Sequence, residues 1–366
     1  MEKQPNSRRS FIRVFSLGLG AVAINPSFSF GCSRSPQTKK LGIALVGLGG
    51  YSRGQLAPAL QETSNCYLAG LVSGTPSKIE DWKSKYDIPE GNCYNYQNFD
   101  EIAKNPAIDI VYVVLPPSMH KEYTIRAAKA GKHVICEKPM AMNATECAEM
   151  VAACKSAGRM LSIGYRLHFE PHNQEMMRLG QQKVYGKVLS IDSANGFKYG
   201  GDPNAWRLKK EMGGGPLMDM GIYAIQGSRY TIGEEPIYVT AIGSKTDNPL
   251  FKEVEETISW ELEFPGGTKA KGETSFNKNY GYLKAQAEQG NFSIEPAYGY
   301  GGQKGETPKG PINLPQVNEQ ALQMDDFAQC ILQMKATRVP GEMGMKDMKV
   351  IDAIFRSVKS GKRERV

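Results

Sequence analysis

The sequence predicts a two-domain α/β protein, and two observations carry that prediction. In the first half, short apolar runs alternate with helical patterns, which is typical of a doubly wound parallel sheet with helices on both faces. In the second half, apolar runs follow one another across short turns, which is typical of an α+β domain with a largely antiparallel, open sheet. A length of 366 residues agrees with about two domains.

Composition narrows the class of protein. The chain is 40% hydrophobic and 23% charged, with a formal net charge of +7, and it has no cluster of basic residues interleaved with aromatics. The seven cysteines form no C-x-x-C pair, and the four histidines do not have the spacing of metal ligands. We therefore expect an ordinary globular protein of the size of an enzyme, with no nucleic-acid partner and no metal site.

The first 31 residues predict a twin-arginine signal segment. Ser7-Arg8-Arg9-Ser10-Phe11 precedes the mildly apolar run 14–24, which contains no acidic residue. The run is shorter than the about 20 residues that a membrane-spanning helix needs. We expect a periplasmic or otherwise exported protein, with two forms of processing left open: cleavage after Ala23, or a lipid anchor on Cys32.

A dinucleotide-binding domain of the Rossmann type is predicted for residues 32–165. The apolar strand 41–46 leads directly into a glycine-rich turn and then into a helix over residues 55–62. The first glycine permits a tight turn, the second lets the backbone approach a pyrophosphate, and the start of the helix supplies amide donors. Serine occupies the third position, where glycine or alanine is usual, and is still small. The predicted cofactor contacts here are Gly47, Gly49, Gly50, Tyr51 and Ser52.

Alternating elements continue to about residue 163. Strands are predicted over 67–72, 108–115, 133–136 and 160–163, with helices over 77–86 and 121–130 and another opened by Asn143, which has Glu146 three residues later as in a capping box. Ligands of such sheets bind beyond the carboxyl ends of the strands. Lys138, fixed in a turn by the following proline, is therefore predicted to project into the crevice. The other predicted crevice residues are Leu115, Pro116, Glu137 and Arg166.

The end of the second strand indicates the cofactor. A site that prefers NAD usually has Asp or Glu at this position, which accepts from the ribose hydroxyls. Here the strand ends in Ser73 and Gly74, and Lys78 follows closely. A hydroxyl donor and a positive charge suit a 2′-phosphate, so NADP is predicted, with NAD as the alternative.

The second domain is assigned to residues 166–366. Strands are predicted over 188–192, 237–243, 257–264, 268–275, 283–286 and 292–295. Residues 297–315 are rich in glycine and proline and are predicted to form a loop, and helices over 317–335 and 344–359 close the chain. Whether these two helices stay in the second domain or pack back on the first is left open.

A second chemical cluster lies within this half. A glycine-rich entry at 213–215 is followed by Asp219 and Tyr223, four residues apart. If the segment is helical, the carboxylate and the phenol share one face, and the phenol can exchange a proton with a carbinol. The alternative, in which Asp219 caps a helix and Tyr223 only packs, is equally consistent with the spacing.

These motifs together resemble the Gfo/Idh/MocA oxidoreductases. The resemblance rests on the Gly-x-Gly turn, on Glu137-Lys138-Pro139 and on Asp219-x-Gly221-x-Tyr223, and it covers residues 41–362. Within the family the chain most resembles the glucose-fructose oxidoreductases, which also carry a twin-arginine signal and have tyrosine where most relatives have histidine. Further matching segments are 94–99, 164–166, 205–208, 233–236 and 340–342.

The resemblance implies a role for each site residue. Lys138 would contact both nicotinamide and substrate hydroxyl, Tyr223 would be the acid/base, and Asp219 would hold the sugar. The residues implied to line the NADP site are Ser73, Lys78, Tyr96, His120, Glu137, Arg166, Trp206 and Arg207. Loops 197–204 and 299–315 would determine which sugar binds.

The implied activity is hydride transfer between NADP and a sugar, in a homodimer or homotetramer. Two other functions stay open: a glycoside hydrolase of the same superfamily that uses the dinucleotide without net redox change, and a non-catalytic sugar-binding protein. One departure concerns the cofactor. Only residues 32–40 separate the signal from the first strand, where glucose-fructose oxidoreductase has a long proline-rich arm that buries its NADP. How this chain would retain the nucleotide is left open.

Overall fold

Residues 39–366 are described in the computed structural model of the protein. The predicted signal segment and the predicted lipidation site at Cys32 lie outside these residues.

A six-stranded, wholly parallel sheet occupies the first part of the described chain. Its strand order, β3-β2-β1-β4-β5-β6, is that of a dinucleotide-binding Rossmann sheet, so the predicted fold class is confirmed. Successive strands are added to one side of β1 as far as β3 and then to its other side from β4 onward, and ligands of such sheets bind at this switch point, at the carboxyl ends of β1 and β4. The strands are β1 (Leu41–Val46), β2 (Cys66–Val72), β3 (Cys93–Tyr94), β4 (Ile110–Val113), β5 (His133–Cys136) and β6 (Leu161–Ile163).

Helices connect these strands. They are α1 (Ala57–Leu60), which continues from a π-helical turn at Ser52–Leu56, α2 (Pro76–Tyr86), α3 (Pro117–Lys129) and α4 (Ala144–Ser156). The Asn143 side chain caps α4 by accepting from the Glu146 amide, as the sequence predicts. The Glu146 carboxylate accepts from the Met142 amide, one residue earlier than in a reciprocal capping box.

The C-terminal helices α7 (Glu319–Gln333) and α8 (Gly341–Ser360) pack on this first sheet. Alternate residues of β1 face opposite sides, with Leu45 in one apolar cluster and Val46 in the other. Phe327 of α7 joins the Leu45 cluster, while Ile351 of α8 joins the Val46 cluster. The hydrophobic core is therefore continuous across the boundary predicted at residue 166: α7 packs on the first sheet, and α8 contacts both sheets, through β6 and β8 (Tyr238–Ser244).

A nine-stranded sheet dominates the second part, in the order β14-β13-β12-β11-β7-β10-β9-β8-β15. Every neighbouring pair is antiparallel except β7 and β10, which confirms the largely antiparallel domain. Its strands are β7 (Val188–Gly196), β8 (Tyr238–Ser244), β9 (Thr257–Glu263), β10 (Lys269–Ser275), β11 (Tyr280–Ala287), β12 (Gly290–Ile294), β13 (Gly305–Thr307), β14 (Gly310–Ile312) and β15 (Glu364–Arg365). Two more helices belong here, α5 (Pro171–Gln181) and α6 (Ile222–Ile232).

Several elements differ from the sequence prediction, among them the two-residue strands β3 and β15, which were not predicted. Helix α5 was not predicted; it is capped by the Glu170 carboxylate, which accepts from the amides of His172 and Asn173. The expected loop 297–315 contains the short hairpin of β13 and β14, because these strands extend the open sheet at its edge. The sequence did not predict this hairpin, because glycine and proline are depleted in strands.

No helix between residues 39 and 366 is both long and apolar enough to cross a lipid bilayer. The same stretch contains no group of three or more His, Cys, Asp and Glu side chains arranged to hold a metal ion.

Candidate active site

The glycine-rich turn after β1 is shaped to admit a ligand. Gly47 has φ +98°, and a Cβ there would lie 2.4 Å from the Val114 carbonyl oxygen, so only glycine fits. Leu115 packs against the same glycine from the neighbouring strand end. Around Gly49 and Gly50 a Cβ would meet no atom within 4 Å, which leaves the backbone open to a pyrophosphate. The backbone amides of this turn can donate to a phosphate, and the open space beside them fits the pyrophosphate of a dinucleotide.

Ser52 supports this turn from beneath. Its buried hydroxyl donates to the Gly47 carbonyl oxygen at 2.6 Å. The hydroxyl is therefore used to fix the turn, and the cofactor contact of Ser52 stays a prediction.

The end of β2 brings together the residues predicted to choose the nucleotide. Gly74 lies under the Tyr96 ring, where a Cβ would be 2.7 Å from a ring carbon. Ser73 is buried and accepts from the Thr75 amide at 3.1 Å, so its own hydroxyl hydrogen remains available to donate. Lys78 lies in the first turn of α2, at the same end of the strand. This group can bind the adenosine ribose and a phosphate on it.

Glu137 sets the backbone of the next loop. Its buried carboxylate accepts from the Tyr112 hydroxyl at 2.7 Å and from the Lys138 amide at 3.2 Å. It rests on Gly164, where a Cβ would lie 2.4 Å from the carboxylate oxygen. Burial raises the pKa of Glu137 above its ordinary value, against the lowering effect of the Tyr112 hydrogen bond and of Lys138. Glu137 therefore lies where the sequence places it and holds Lys138 in position.

Lys138 meets both other predicted catalytic residues. Its Nζ donates to the backbone carbonyl of Asp219 at 2.6 Å and lies 3.6 Å from Asp219 Oδ1. The same nitrogen is 4.6 Å from the centroid of the Tyr223 ring. An ammonium has three donors, so Lys138 keeps donor capacity for a substrate hydroxyl.

Asp219 is a counter-ion for two cations. Its Oδ2 accepts from Arg207 Nε at 2.7 Å, opposite the contact with Lys138. Burial alone would raise the pKa of Asp219, but Lys138 and Arg207 outweigh that effect and hold the pKa below its ordinary value. The family resemblance implied that this carboxylate holds the sugar. In the structure the carboxylate contacts Lys138 and Arg207 and orients both cations.

The local fold explains how Asp219 and Tyr223 come to one pocket. Asp219 lies in a π-helical turn, Leu217–Gly221, that runs directly into α6, where Tyr223 is the second residue. The segment is helical and Asp219 does not cap it, so the structure follows the shared-face interpretation. Arg207 and the Trp206 ring, 4.7 Å apart, lie beside this pair and not at the adenosine end.

Two residues expected to line the nucleotide site act differently. Both ring nitrogens of buried His120 face backbone carbonyls, Nδ1 that of Pro139 at 2.9 Å and Nε2 that of Leu115 at 2.7 Å. Burial lowers the pKa of His120, although the carbonyls oppose that effect. Because burial favours the neutral imidazole, which has a single N–H, His120 donates to only one of these two carbonyls, and it packs between the Leu115 loop and the Lys138 loop.

Arg166 is the second of these residues. Only 2% of this residue is exposed, and its guanidinium pairs with Glu319 and donates to the carbonyls of Tyr298 at 2.6 Å and Gly299 at 3.0 Å. Its charge is therefore used to hold residues of the second domain over the crevice.

Sequence reasoning missed two aromatic residues here. The Tyr298 ring stacks on Tyr223, with centroids 6.1 Å apart and planes at 27°. The Tyr300 ring lies 4.3 Å from the Arg166 guanidinium and 6.3 Å from the Tyr51 ring. In the sequence these tyrosines alternate with glycines at 298–302. The overlapping loop 299–315 was assigned to sugar specificity alone.

Comparison with known proteins identifies related sequences for both parts. Residues 41–165 match the model of the oxidoreductase family with an NAD-binding Rossmann fold, GFO_IDH_MocA. Residues 173–296 match the model of the GFO/IDH/MocA C-terminal domain.

Individual relatives cover most of the chain. The crystal structure of aldose-aldose oxidoreductase from Caulobacter crescentus, complexed with glycerol, is 40% identical, with a TM-score of 0.86 over 90% of this chain and 100% of that one. The D-xylose 1-dehydrogenase [NADP(+)] of Haloarcula marismortui is 26% identical over 86% of this chain and 90% of its own length. The 2,7-anhydro-N-acetylneuraminate hydratase of Escherichia coli is 33% identical, but over only 56% of each chain.

Proposed function

Because this chain belongs to the Gfo/Idh/MocA family of oxidoreductases, we propose that it is an NADP-dependent enzyme that transfers hydride to and from the carbinol carbon of a sugar. The observation that carries the proposal is the trio of Lys138, Asp219 and Tyr223 at the carboxyl end of β5. NADP is favoured over NAD by Ser73 and Lys78 at the end of β2, and a relative is named for its use of NADP.

The chain's own residues supply the proton chemistry. The glycine-rich turn, Ser73 and Lys78 would hold NADP, whose chemistry here would be reversible hydride exchange, with one sugar as the donor and a second substrate as the acceptor. Tyr223 accepts the proton of the reacting hydroxyl during oxidation and gives it back during reduction. Lys138 donates to the developing alkoxide, and Asp219 keeps the ammonium oriented by binding it through both its carbonyl and its carboxylate.

Aldoses are the proposed substrates for both halves of the reaction. The sequence suggested the glucose-fructose branch of the family, in which a ketose is the acceptor. The 40% identity to an enzyme named for two aldoses favours an aldose as acceptor as well as donor. Export by the twin-arginine route, proposed from residues 1–31, agrees with this scheme, because a nucleotide recycled within the protein needs no external supply.

The decisive experiment begins with full-length protein and its bound nucleotide. Released nucleotide is identified by mass spectrometry, and intact protein is mixed with single aldoses while the near-ultraviolet absorbance of reduced nicotinamide is followed. We expect an aldose to reduce the bound NADP and a second aldose to restore the absorbance of the oxidised form. No change with any aldose, polyol or inositol would contradict the proposal.

A reaction without net redox change is the second candidate, favoured by the partial similarity to a hydratase. Incubation with aryl glycosides separates the two. Release of the aryl group while the absorbance of the nucleotide stays constant in the steady state would favour a hydrolase. Inertness toward glycosides together with aldose-dependent absorbance changes would favour the oxidoreductase.

A further inference from the structure

We propose that residues 298–302, here called the clasp, retain the bound nucleotide between the two half-reactions. The proposal rests on the proposed function, since it concerns how the same NADP site holds its ligand.

The clasp bridges the two ends of the crevice. The Tyr300 ring lies 6.3 Å from the ring of Tyr51, which directly follows the glycine-rich turn. On its other side Tyr300 lies 4.3 Å from the Arg166 guanidinium, which is itself 5.2 Å from the Tyr223 ring. A dinucleotide that runs from the glycine-rich turn to Lys138 therefore has to pass Tyr300.

Buried charge fixes the first end of the clasp. Arg166 donates to the carbonyls of Tyr298 and Gly299, and Glu319 of α7 holds Arg166 from behind. The anchor is nearly inaccessible to water, because Arg166 and Glu319 are 2% and 4% exposed. Removing a buried partner from such a pair is costly, so this end does not open independently.

Side-chain amides fix the other end. The Gly302 amide donates to Gln316 Oε1 at 3.0 Å, and Gln316 Nε2 donates to Gln303 Oε1 at 3.1 Å. Gln303 in turn donates to the Gly299 carbonyl at 2.9 Å, which closes the loop on itself. Hydrogen bonds therefore hold both ends of the clasp.

The tip of the clasp carries an aromatic residue with little to bury it. Tyr300 is 58% exposed, whereas Tyr298 two residues earlier is 5% exposed. Gly301 and Gly302 have φ values of +141° and +75°, which L side chains rarely adopt, so the tip is built on glycine. An exposed ring held beside a nucleotide loop gains burial by covering a nucleotide, and its contact slows release of the ligand.

The test compares Tyr300→Ala with Tyr67→Ala in the full-length protein. Tyr67 is the matched control because it is also a partly exposed tyrosine, 40% accessible, but it lies in β2 and outside the clasp. Each protein is saturated with NADPH, mixed with a large excess of NADP⁺, and the decay of bound NADPH fluorescence is followed. Bound nucleotide is also quantified after gel filtration.

We expect Tyr300→Ala to release nucleotide at least about tenfold faster than wild type, as for the loss of one aromatic contact, with Tyr67→Ala unchanged. Equal release rates in Tyr300→Ala and wild type, or rapid release from wild type itself, would overturn the clasp. Neither result concerns the chemistry, which is measured separately: aldose-dependent reduction of saturating NADP in wild type tests the proposed function. If wild type binds no NADP at all, both proposals fall together, and that result is distinct from retention without a clasp.

Discussion

At the scale of single residues, the site depends on one ammonium held by one helical turn. Lys138 is oriented by the Asp219 carbonyl and carboxylate, and Tyr223 lies below it. The positive charge is therefore in place before substrate arrives, which is the arrangement that stabilises an alkoxide most effectively.

Removing either reacting group should leave binding but not chemistry. We expect Lys138→Ala and Tyr223→Phe each to lower single-turnover hydride transfer at least about a hundredfold, the scale typical of general acid-base groups. Rapid mixing of nucleotide-loaded variants with aldose measures the step directly. Transfer at the wild-type rate in either variant, with nucleotide occupancy verified, would contradict the assignment of Lys138 and Tyr223.

Nucleotide choice is a second residue-scale property. Ser73→Asp places a carboxylate where a 2′-phosphate is expected, and like charges a few ångströms apart repel each other. We expect NADP affinity to fall about tenfold or more while NAD affinity is kept or gained. Titration of both nucleotides by fluorescence measures this, and Ser84→Asp, an exposed substitution on α2, controls for the added charge. Equal losses for NAD and NADP would argue against a phosphate at this position.

At the scale of elements, Gly214 determines where the segment of Trp206 and Arg207 lies. A Cβ at Gly214 would come within 2.5 Å of the Arg207 carbonyl oxygen and 2.6 Å of that of Trp206. These are backbone atoms and cannot rotate away, so the segment must shift and Arg207 must loosen its contact with Asp219.

We therefore expect Gly214→Ala to lower kcat about tenfold, since small misplacements near reacting groups are costly. Gly200→Ala is the control, because a Cβ there meets no atom within 4 Å. Steady-state kinetics with aldose and a nucleotide titration separate the effects. A large loss of nucleotide affinity with unchanged kcat would show that the segment serves the cofactor instead of the trio.

The elements themselves were largely foreseeable. Strands β1 and β5 and the cap at Asn143 follow from local patterns, because buried parallel strands are apolar and Asn with Glu three residues on is a local signal. The partners of Arg166 were not foreseeable, because Glu319 and the Tyr298 carbonyl are more than a hundred positions from Arg166 in sequence and only the tertiary fold brings them together. The motifs predicted residues that the structure places near the carboxyl ends of the parallel strands, and which of these residues contact a ligand stays a prediction.

At the scale of the whole molecule, buried histidines couple stability to pH. His168 is 8% exposed and its Nε2 has no hydrogen-bond partner among residues 39–366. Burial, with Arg229 and Arg338 nearby, lowers the pKa of His168 to about 3, and burial lowers that of His133 to about 4. In the unfolded chain a histidine has a pKa of about 6.5, so below that pH the unfolded chain binds protons that these histidines in the folded protein do not bind. The free energy of unfolding therefore falls as the pH drops from about 6.5 toward 3.

We expect His168→Phe to remove the contribution of one titrating group to this pH dependence of stability. Between about pH 6 and pH 4 the free energy of unfolding of wild type should fall faster than that of the variant, by about 1.4 kcal/mol per pH unit. Urea unfolding at several pH values measures both. Parallel curves would show that His168 is protonated equally in the folded and unfolded chains.

The packing of α7 and α8 on the first sheet also dictates an order of events during synthesis. The face of β1 that carries Leu45 is completed by Phe327, and the face that carries Val46 is completed by Ile351. The nucleotide-binding half therefore emerges from the ribosome long before its own core can close. A ribosome-bound chain stopped before residue 319 lacks both helices, so we expect the apolar faces of its first sheet to stay exposed to chaperones.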